Sequence, residues 1–325
     1  MAQHLARWRH CTGVRSFGWS GRRFAWRRGV LPGALAVAVV LSGCGGGEGS
    51  SGGGADGGRD GVEGPLALPV EPVLYPGADA MAALQDGYFR LVETCMEEKG
   101  FTFSSKRVDP PPEIMNPYDV RRRYGDLSPE EASQWGYHYR FAEYEAELRE
   151  QQEAEAAEPS QPGFGEALSG SPVETATGVA PSSDGCAPQA NQQIYGNSQG
   201  FEGLPGFSEI LQVQVDSYDR AAADPEVVAA EQRWSDCMLS RGYRYTTSTG
   251  PLDQFAPATD DTSPPGDEER STAEADAACR DEADLLHTYL RVESRIQVAA
   301  LEGLQEQVDT LEHAVDGALR RSKDL

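Results

Sequence analysis

Apolar residues recur at steps of three and four along much of this chain, which is the spacing of one face of an α-helix. The first such stretch runs from Asp79 to Lys99, and Gly100 follows it as a residue type that commonly ends helices. Its apolar positions are Met81, Leu84, Tyr88, Leu91 and Cys95. The pattern predicts an amphipathic helix at this place.

Capping sequences predict where further helices begin. Ser128 and Asp224 are each followed by a proline and then an acidic residue, which is typical of a helix N-terminus. From Thr272 to about Arg321 the chain contains no proline, which favours one long C-terminal helix, either unbroken or interrupted at Gly303. Two more stretches with helical character are Asn191–Tyr195 and Phe207–Ala223.

Two segments between these helices, 159–185 and 250–270, are rich in Pro, Gly, Ser, Thr and Asp and have no apolar periodicity. We predict that they are disordered insertions. The sequence as a whole predicts a mainly α fold for residues 79–325. This fold consists of disulfide-linked helical hairpins or a bundle, with long disordered loops and a long C-terminal helix.

The N-terminus has the organisation of an export signal. An arginine-rich start precedes the apolar run 29–40, which is too short and too interrupted to span a bilayer permanently. The run ends at Leu41-Ser42-Gly43-Cys44, which resembles a bacterial lipobox, where the cysteine thiol accepts a diacylglyceryl group. We predict a lipoprotein signal peptide at 1–43 and lipidation of Cys44. An ordinary signal peptide with a chance cysteine is the alternative, and both Sec and Tat export stay open.

Residues 44–78 form a predicted tether between this anchor and the helical domain. The part from Gly45 to Gly64 is about half glycine, with Ser and Asp interspersed and almost no apolar residue. Such a composition is typical of a flexible linker.

The charge of the chain limits its partners. It has 28 Lys and Arg against 52 Asp and Glu. The predicted signal peptide, residues 1–43, contains seven of the arginines and no acidic residue. The remaining body is therefore strongly acidic and repels nucleic acid and anionic headgroups, so we predict no nucleic-acid partner. Charged partners, if any, are expected to be cationic.

A short repeat contains two of the cysteines. Cys-Met, three residues, Gly, an aromatic residue, one residue and a second aromatic residue occur at 95–103 and again at 237–245. We assign the two copies to repeats at 79–223 and 224–325. Each copy is followed by one more cysteine at a predicted helix start, Cys186 and Cys279.

Export to an oxidising compartment favours disulfides among these four cysteines. Pairing within each repeat, Cys95–Cys186 and Cys237–Cys279, is favoured because the end of one helix lies beside the start of the next in an antiparallel hairpin. The two other connectivities stay open. A zinc site is disfavoured, because no closely spaced Cys-x-x-Cys pair is present.

The repeated frame resembles one found in secreted and lipid-anchored proteins of actinobacteria. The other residues that look similar are Arg123-Tyr124-Gly125, Ala132, Gly136-Tyr137, Gly185-Cys186, Ala190 and Tyr195-Gly196. The resemblance implies a location in the cell envelope and a helical topology, and it implies no activity.

Candidate catalytic groups are few. Gly196-Asn197-Ser198-Gln199-Gly200 matches the nucleophile elbow of α/β-hydrolases, but that motif needs a buried strand before the serine, and a helical stretch is predicted here. The histidines of the mature chain, His138, His287 and His313, are interpreted as solvated helix positions. The acidic runs 260–261 and 267–269 lack the ligand spacing of a calcium loop. We therefore predict no catalytic residue, no metal site and no cofactor.

Two functions remain. The first is a non-catalytic lipoprotein on the extracytoplasmic face of the cell membrane, which binds an envelope protein or cell-wall component, senses a signal or acts as a scaffold. Its membrane partner is the bilayer that holds the diacylglyceryl anchor. The alternative is a secreted hydrolase that uses Ser198 or paired carboxylates.

Overall fold

Helices make up most of the described chain, as the apolar periodicity predicts. The computed structural model describes residues 66–104, 110–157, 161–175, 178–181, 184–258 and 261–325. All of them belong to the compact unit Val62–Leu325. The predicted signal peptide, Cys44 and most of the predicted tether lie outside the described residues. Within those residues, no helix is both long and apolar enough to cross a membrane.

The elements follow one another along the chain with short connections. The helices are α1 (Glu71–Leu74), α2 (Ala78–Glu98), α3 (Pro112–Met115), α4 (Val120–Arg123), α5 (Pro129–Trp135), α6 (Ala142–Ala157), α7 (Phe164–Ser169), α8 (Cys186–Tyr195), α9 (Phe207–Ala222), α10 (Pro225–Ser240), α11 (Gly250–Phe255), α12 (Asp267–Glu282), α13 (Leu285–Glu302) and α14 (Gln305–Lys323). A 3₁₀ turn covers Phe201–Gly203, and a small antiparallel hairpin pairs β1 (Pro172–Thr175) with β2 (Gly178–Pro181).

Local capping starts two helices where the sequence predicts them. The Ser128 hydroxyl accepts a hydrogen bond from Glu131 N–H at 3.1 Å, and the Glu131 carboxylate accepts one from Ser128 N–H at 2.9 Å. The Asp224 carboxylate accepts a hydrogen bond from Glu226 N–H at 2.9 Å in the same role at α10. Both predicted helix starts are confirmed, because these side chains satisfy amide groups that have no partner within the helix.

The proline-free region near the C-terminus forms three helices rather than one. Asp284 separates α12 from α13 in the left-handed conformation, with φ 52°, which a short polar side chain tolerates better than most. The second break, at Gly303 and Leu304, is the one predicted at Gly303. The predicted long C-terminal helix is α14, with 19 residues, whereas the single unbroken helix is wrong.

The two halves of the chain share one main core. Helix α9 packs on α13, which also contacts α10, and α14 packs on α2 and α8 from the first half. Large side chains that are fully buried in this core include Leu84, Ile194, Ile210, Trp234, Met238 and Leu311. The repeats assigned to 79–223 and 224–325 are therefore not separate structural units.

The repeated frame forms the same helix end twice. Phe101 N–H donates to Met96 O and Tyr243 N–H donates to Met238 O, both at 2.9 Å. The glycine between them, Gly100 or Gly242, has a φ of 83° or 93°. This hydrogen-bond pattern around a left-handed residue is a Schellman motif, so the repeat is a shared helix terminus.

Valine at Gly100 or Gly242 is expected to destabilise the protein by more than about 1 kcal/mol, because a Cβ atom clashes with the backbone at positive φ. No other atom lies within 4 Å of a Cβ built at either glycine, so the effect comes from the backbone alone. Urea denaturation measures it. Gly266→Val is the matched control, since Gly266 also has open space but a φ of −66°. Equal loss at Gly266 would contradict the backbone explanation.

Disulfides join Cys95 to Cys186 and Cys237 to Cys279, which is the pairing favoured within each repeat. The first bond links the end of α2 to the first residue of α8, as the hairpin argument predicts. The second differs, because Cys279 lies in the last turn of α12 and not at a helix start. The reason is that α12 begins already at Asp267, where three acidic residues occupy its first turn and favour a helix N-terminus.

Several segments predicted as tether or disordered insertion are packed where they are described. At the end of the predicted tether 44–78, Leu68, Val70 and Leu74 are at most 1% exposed. Within 159–185, α7 precedes the β-hairpin, and Phe164 of α7 contacts Phe101 with ring centroids 5.8 Å apart. Within 250–270, α11 places Phe255 against Tyr137 at 5.6 Å. Apolar side chains dock each of these segments on the rest of the protein, and the end of the predicted tether, residues 66–75, contains a single charged residue, Glu71.

Candidate functional site

Two carboxylates, Glu293 on α13 and Asp276 on α12, have no solvent exposure. Charged side chains are almost never fully buried unless they are paired, so these two positions mark the most unusual chemistry of the described chain. The residues that hydrogen-bond them are called the Glu293 cluster and the Asp276 cluster below. The Glu293 cluster consists of Glu293, Arg123, Tyr124, Ser217 and Gln297, and the Asp276 cluster of Asp276, Tyr137, Trp234 and Arg280.

Glu293 accepts hydrogen bonds from four side chains. Arg123 binds both carboxylate oxygens, with Nε 3.1 Å from Oε2 and Nη2 2.5 Å from Oε1. Tyr124 OH donates to Oε2 at 2.6 Å, and Ser217 Oγ donates to Oε1 at 2.6 Å. Gln297 Nε2 is 3.1 Å from Oε1. The bidentate arginine supplies charge and geometry together, so the carboxylate is fully compensated.

Helix α4 delivers Arg123 and Tyr124 to this cluster. The Asp119 carboxylate caps α4 by accepting hydrogen bonds from Arg121 N–H at 2.7 Å and Arg122 N–H at 3.3 Å. Gly125 then reverses the chain at a φ of 63°. This short helix therefore has a fixed start and a fixed end, which hold the arginine over the core.

Asp276 is held by three donors. Trp234 Nε1 and Arg280 Nε each donate to Oδ1 at 2.8 Å, and Tyr137 OH donates to Oδ2 at 3.1 Å. Burial raises the pKa of Asp276, and the Arg280 guanidinium opposes this effect. Burial also raises the pKa of Tyr137, which keeps the phenol a neutral donor.

Arg280 connects the two clusters, and the Tyr124 ring packs near two further tyrosines. The Arg280 guanidinium donates to Tyr124 O at 2.9 Å and to Ser248 O at 2.5 Å. The Tyr124 ring lies 5.0 Å from Tyr289 and 6.3 Å from Tyr218, measured between centroids. The clusters therefore form one polar network that ties α4 and the segment after α5 to helices α9, α10, α12 and α13.

The geometry of this network fits a structural role. Its carboxylates already accept hydrogen bonds from protein donors, so neither offers an oxygen to a substrate without breaking those bonds. Among the described residues, Arg270 Nε is the one buried side-chain nitrogen or oxygen without a hydrogen-bond partner, and it lies outside the network. Satisfied buried polar networks fix a single packing arrangement.

Three of the residues that carry the sequence resemblance lie in this network. Arg123, Tyr124 and Tyr137 donate to the buried carboxylates. Gly136 has a φ of 58°, and a Cβ there would lie 2.7 Å from Glu269 Oε1. Sequence reasoning missed the acceptors of these donors, Glu293 and Asp276, because nothing in the sequence distinguishes them among 52 acidic residues.

Ser198 lies on an exposed turn directly after α8, so a helix and not a buried strand leads into it. It borders a shallow groove of about 250 Å³, whose other lining residues are Pro188, Gln189, Gln192 and Gln193. In the described ranges, no histidine or carboxylate is hydrogen-bonded to the Ser198 hydroxyl. The groove therefore lacks the base that a serine nucleophile needs.

The three histidines differ in environment. His287 is exposed beside Asp284 at 2.9 Å, and His313 is exposed on α14, as predicted. His138 is not solvated, since its side chain is 7% exposed, with Nε2 3.5 Å from the Glu269 carboxylate and Nδ1 3.2 Å from Asp261 O. The prediction was wrong there because α12 and the segment before it cover the turn after α5.

The acidic runs show no cation site in the part of the chain that the structure describes. Glu269 accepts a hydrogen bond from Tyr137 N–H at 2.9 Å, and Asp261 accepts one from Ser263 N–H at 2.9 Å. No group of three or more possible metal ligands occurs among the described side chains. Asp260 lies outside the described residues.

No family model matches the chain, and no curated protein or solved structure is similar to it. The function proposed below therefore depends on the residues of this chain alone.

Proposed function

We propose that this chain is a lipid-anchored protein of the cell envelope, held at the extracytoplasmic face of the membrane through Cys44. Its helical body binds, senses or scaffolds without catalysing a reaction. The observation that carries the proposal is Leu41-Ser42-Gly43-Cys44 at the end of an apolar run, followed by a glycine-rich stretch. The lipobox-like sequence and the repeated cysteine frame occur in the same chain.

The two disulfides support an exported body. Such bonds persist in oxidising compartments and are rare in the bacterial cytosol. Cys186 and Cys279 are fully buried and Cys95 and Cys237 are half-buried, so each bond has one cysteine in the packed core. A location outside the cytoplasm would account for the presence of two disulfide bonds.

A non-catalytic role is supported by the way the polar groups are used. Glu293 and Asp276 are occupied by protein donors, and Ser198 lies on an open turn without a base. The acidic surface disfavours anionic partners. A cationic protein or a neutral cell-wall component is the partner that this body is proposed to bind.

Changing Cys44→Ser is expected to move the protein from the membrane fraction to the medium, or to leave it unprocessed. The serine hydroxyl does not form the thioether that links diacylglycerol to the chain. Fractionation of cells followed by mass measurement of the mature N-terminus detects either result.

The matched control for this experiment is Cys11→Ser, because Cys11 belongs to the segment predicted to be removed. That variant is expected to fractionate like the wild-type protein. Unchanged membrane association of Cys44→Ser, with a mature N-terminus at another residue, would disprove the anchor.

A further inference from the structure

The first described residues, 66–75, lie against the body as a strap, called the N-terminal strap here. Leu68 and Val70 have no exposure, and Leu74 is 1% exposed. The strap contains the single turn of α1 and contacts α9 and α14. Gly77, with a φ of 93° and no atom within 4 Å of a built Cβ, separates the strap from α2. The strap is thus a short element that a glycine turn separates from α2.

Polar contacts tie the strap to the Glu293 cluster. Val70 N–H donates to Gln297 Oε1 at 3.2 Å, and Gln297 in turn donates to Ser217 Oγ at 2.9 Å and to Glu293. Within the strap, the Glu71 carboxyl accepts a hydrogen bond from Leu68 N–H at 3.0 Å. Glu71 is only 7% exposed, so an acidic side chain is buried at the interface between strap and body.

The charged groups that face Glu71 include two acids and one base. These groups are Asp119, Glu293 and Arg123, and the arginine is already bound to both oxygens of Glu293. Burial raises the pKa of Glu71 from its ordinary value of 4.5 to about 7, with the Leu68 hydrogen bond acting in the opposite direction. The docked strap therefore favours a neutral Glu71.

We infer that the N-terminal strap is a pH-dependent element, which docks with Glu71 protonated and binds the body more weakly once Glu71 loses its proton. Loss of the proton places a third carboxylate near Glu293 and Asp119, at a position that is only 7% exposed. Release of the strap returns this charge to solvent. The hinge at Gly77 allows the strap to open while α2 stays packed.

Proton linkage gives the size and sign of the effect. A carboxyl with a pKa of about 7 when docked and 4.5 when released binds more protons in the docked state between these values. Docking is therefore strongest below pH 4.5 and weakens as pH rises towards 7. Between about pH 5.5 and about pH 8, the docking equilibrium is expected to fall roughly 30-fold.

Hydrogen–deuterium exchange of the purified mature protein tests the inference. Exchange rates at about pH 5.5 and about pH 8, each corrected for the intrinsic rate, report local opening of the strap. Protection of strap amides is expected to fall roughly 30-fold, while protection of α9 amides changes little. Glu71→Gln keeps an acceptor for Leu68 N–H without the charge and is expected to remove this pH dependence.

The matched control is Glu312→Gln, which changes an exposed carboxylate on α14 and should leave the fall in strap protection intact. Equal strap protection of the wild-type protein at both pH values would overturn the inference. A fall that persists in Glu71→Gln would overturn it as well, because another group would then be responsible.

The effect on membrane attachment rests on the proposed function, since release of the strap would lengthen a tether anchored at Cys44. The exchange experiment is independent of that anchor. Failure of Cys44 lipidation would leave the pH dependence of the strap unchanged, and the two outcomes are distinguishable.

Discussion

Replacing Arg123 by methionine is expected to destabilise the protein by about 3–5 kcal/mol, the usual loss when one partner of a buried ion pair is removed. Arg123 binds both oxygens of Glu293, and the Glu293 side chain has no solvent exposure. Methionine fills part of the volume but leaves a buried carboxylate without its positive partner. Urea denaturation of the disulfide-intact protein measures the change in the free energy of unfolding.

Two further variants isolate the charge from the packing. Arg122→Met removes the neighbouring exposed arginine, whose guanidinium lies 4.9 Å from the Tyr139 ring, and should have a much smaller effect. Adding Glu293→Gln to Arg123→Met is expected to recover part of the lost stability, because the uncompensated charge disappears. If Arg122→Met destabilises as much as Arg123→Met, the ion pair is not the cause.

Removing the Cys95–Cys186 disulfide by a double alanine substitution is expected to lower the free energy of unfolding by about 4–5 kcal/mol. The bond links residues 91 positions apart, so it strongly restricts the unfolded chain. The Cys237–Cys279 bond spans 42 positions and should contribute slightly less, about 4 kcal/mol in the same chain-entropy treatment. Denaturation curves of the wild-type protein and of the two double variants, all measured without a thiol reductant, give both values.

Reduction of the wild-type protein provides the control for the disulfide variants. A thiol reductant should bring the wild-type protein to the level of the combined four-alanine variant and leave that variant unchanged. Thiol labelling of the native wild-type protein should detect none of the four cysteines. Reaction of Cys95 or Cys237 before reduction would contradict the disulfide assignment.

The features that sequence predicted well are those that local interactions determine. Capping at Ser128 and Asp224 depends on side chains within three residues of the amides they accept from. The equivalence of Gly100 and Gly242 follows from a nine-residue frame that closes its own hydrogen bonds. Because these contacts are short in sequence, pattern and structure agree there.

Features that depend on distant partners could not be predicted in this way. The sequence assigns the strap to the tether because the glycine-rich stretch 45–64 comes before it, and the acceptor of Val70 N–H lies 227 residues away on Gln297. Glu293 and Asp276 look like any other acid on a helix, since burial depends on which helices meet around them. The break at Asp284 was missed because aspartate in a left-handed conformation has no distinctive sequence pattern.

The packing of α14 on α2 determines when this chain can finish folding. Ser322 Oγ donates to Ala83 O at 2.6 Å, across 239 residues, and Arg321 Nε donates to Ile194 O at 2.7 Å. Synthesis proceeds from the N-terminus, so α2 emerges long before the helix that completes its environment. Contacts between residues so far apart in the sequence slow folding. Until they form, apolar surface is exposed to proteases and to aggregation. Truncation of even the last turns of α14 would therefore expose part of α2.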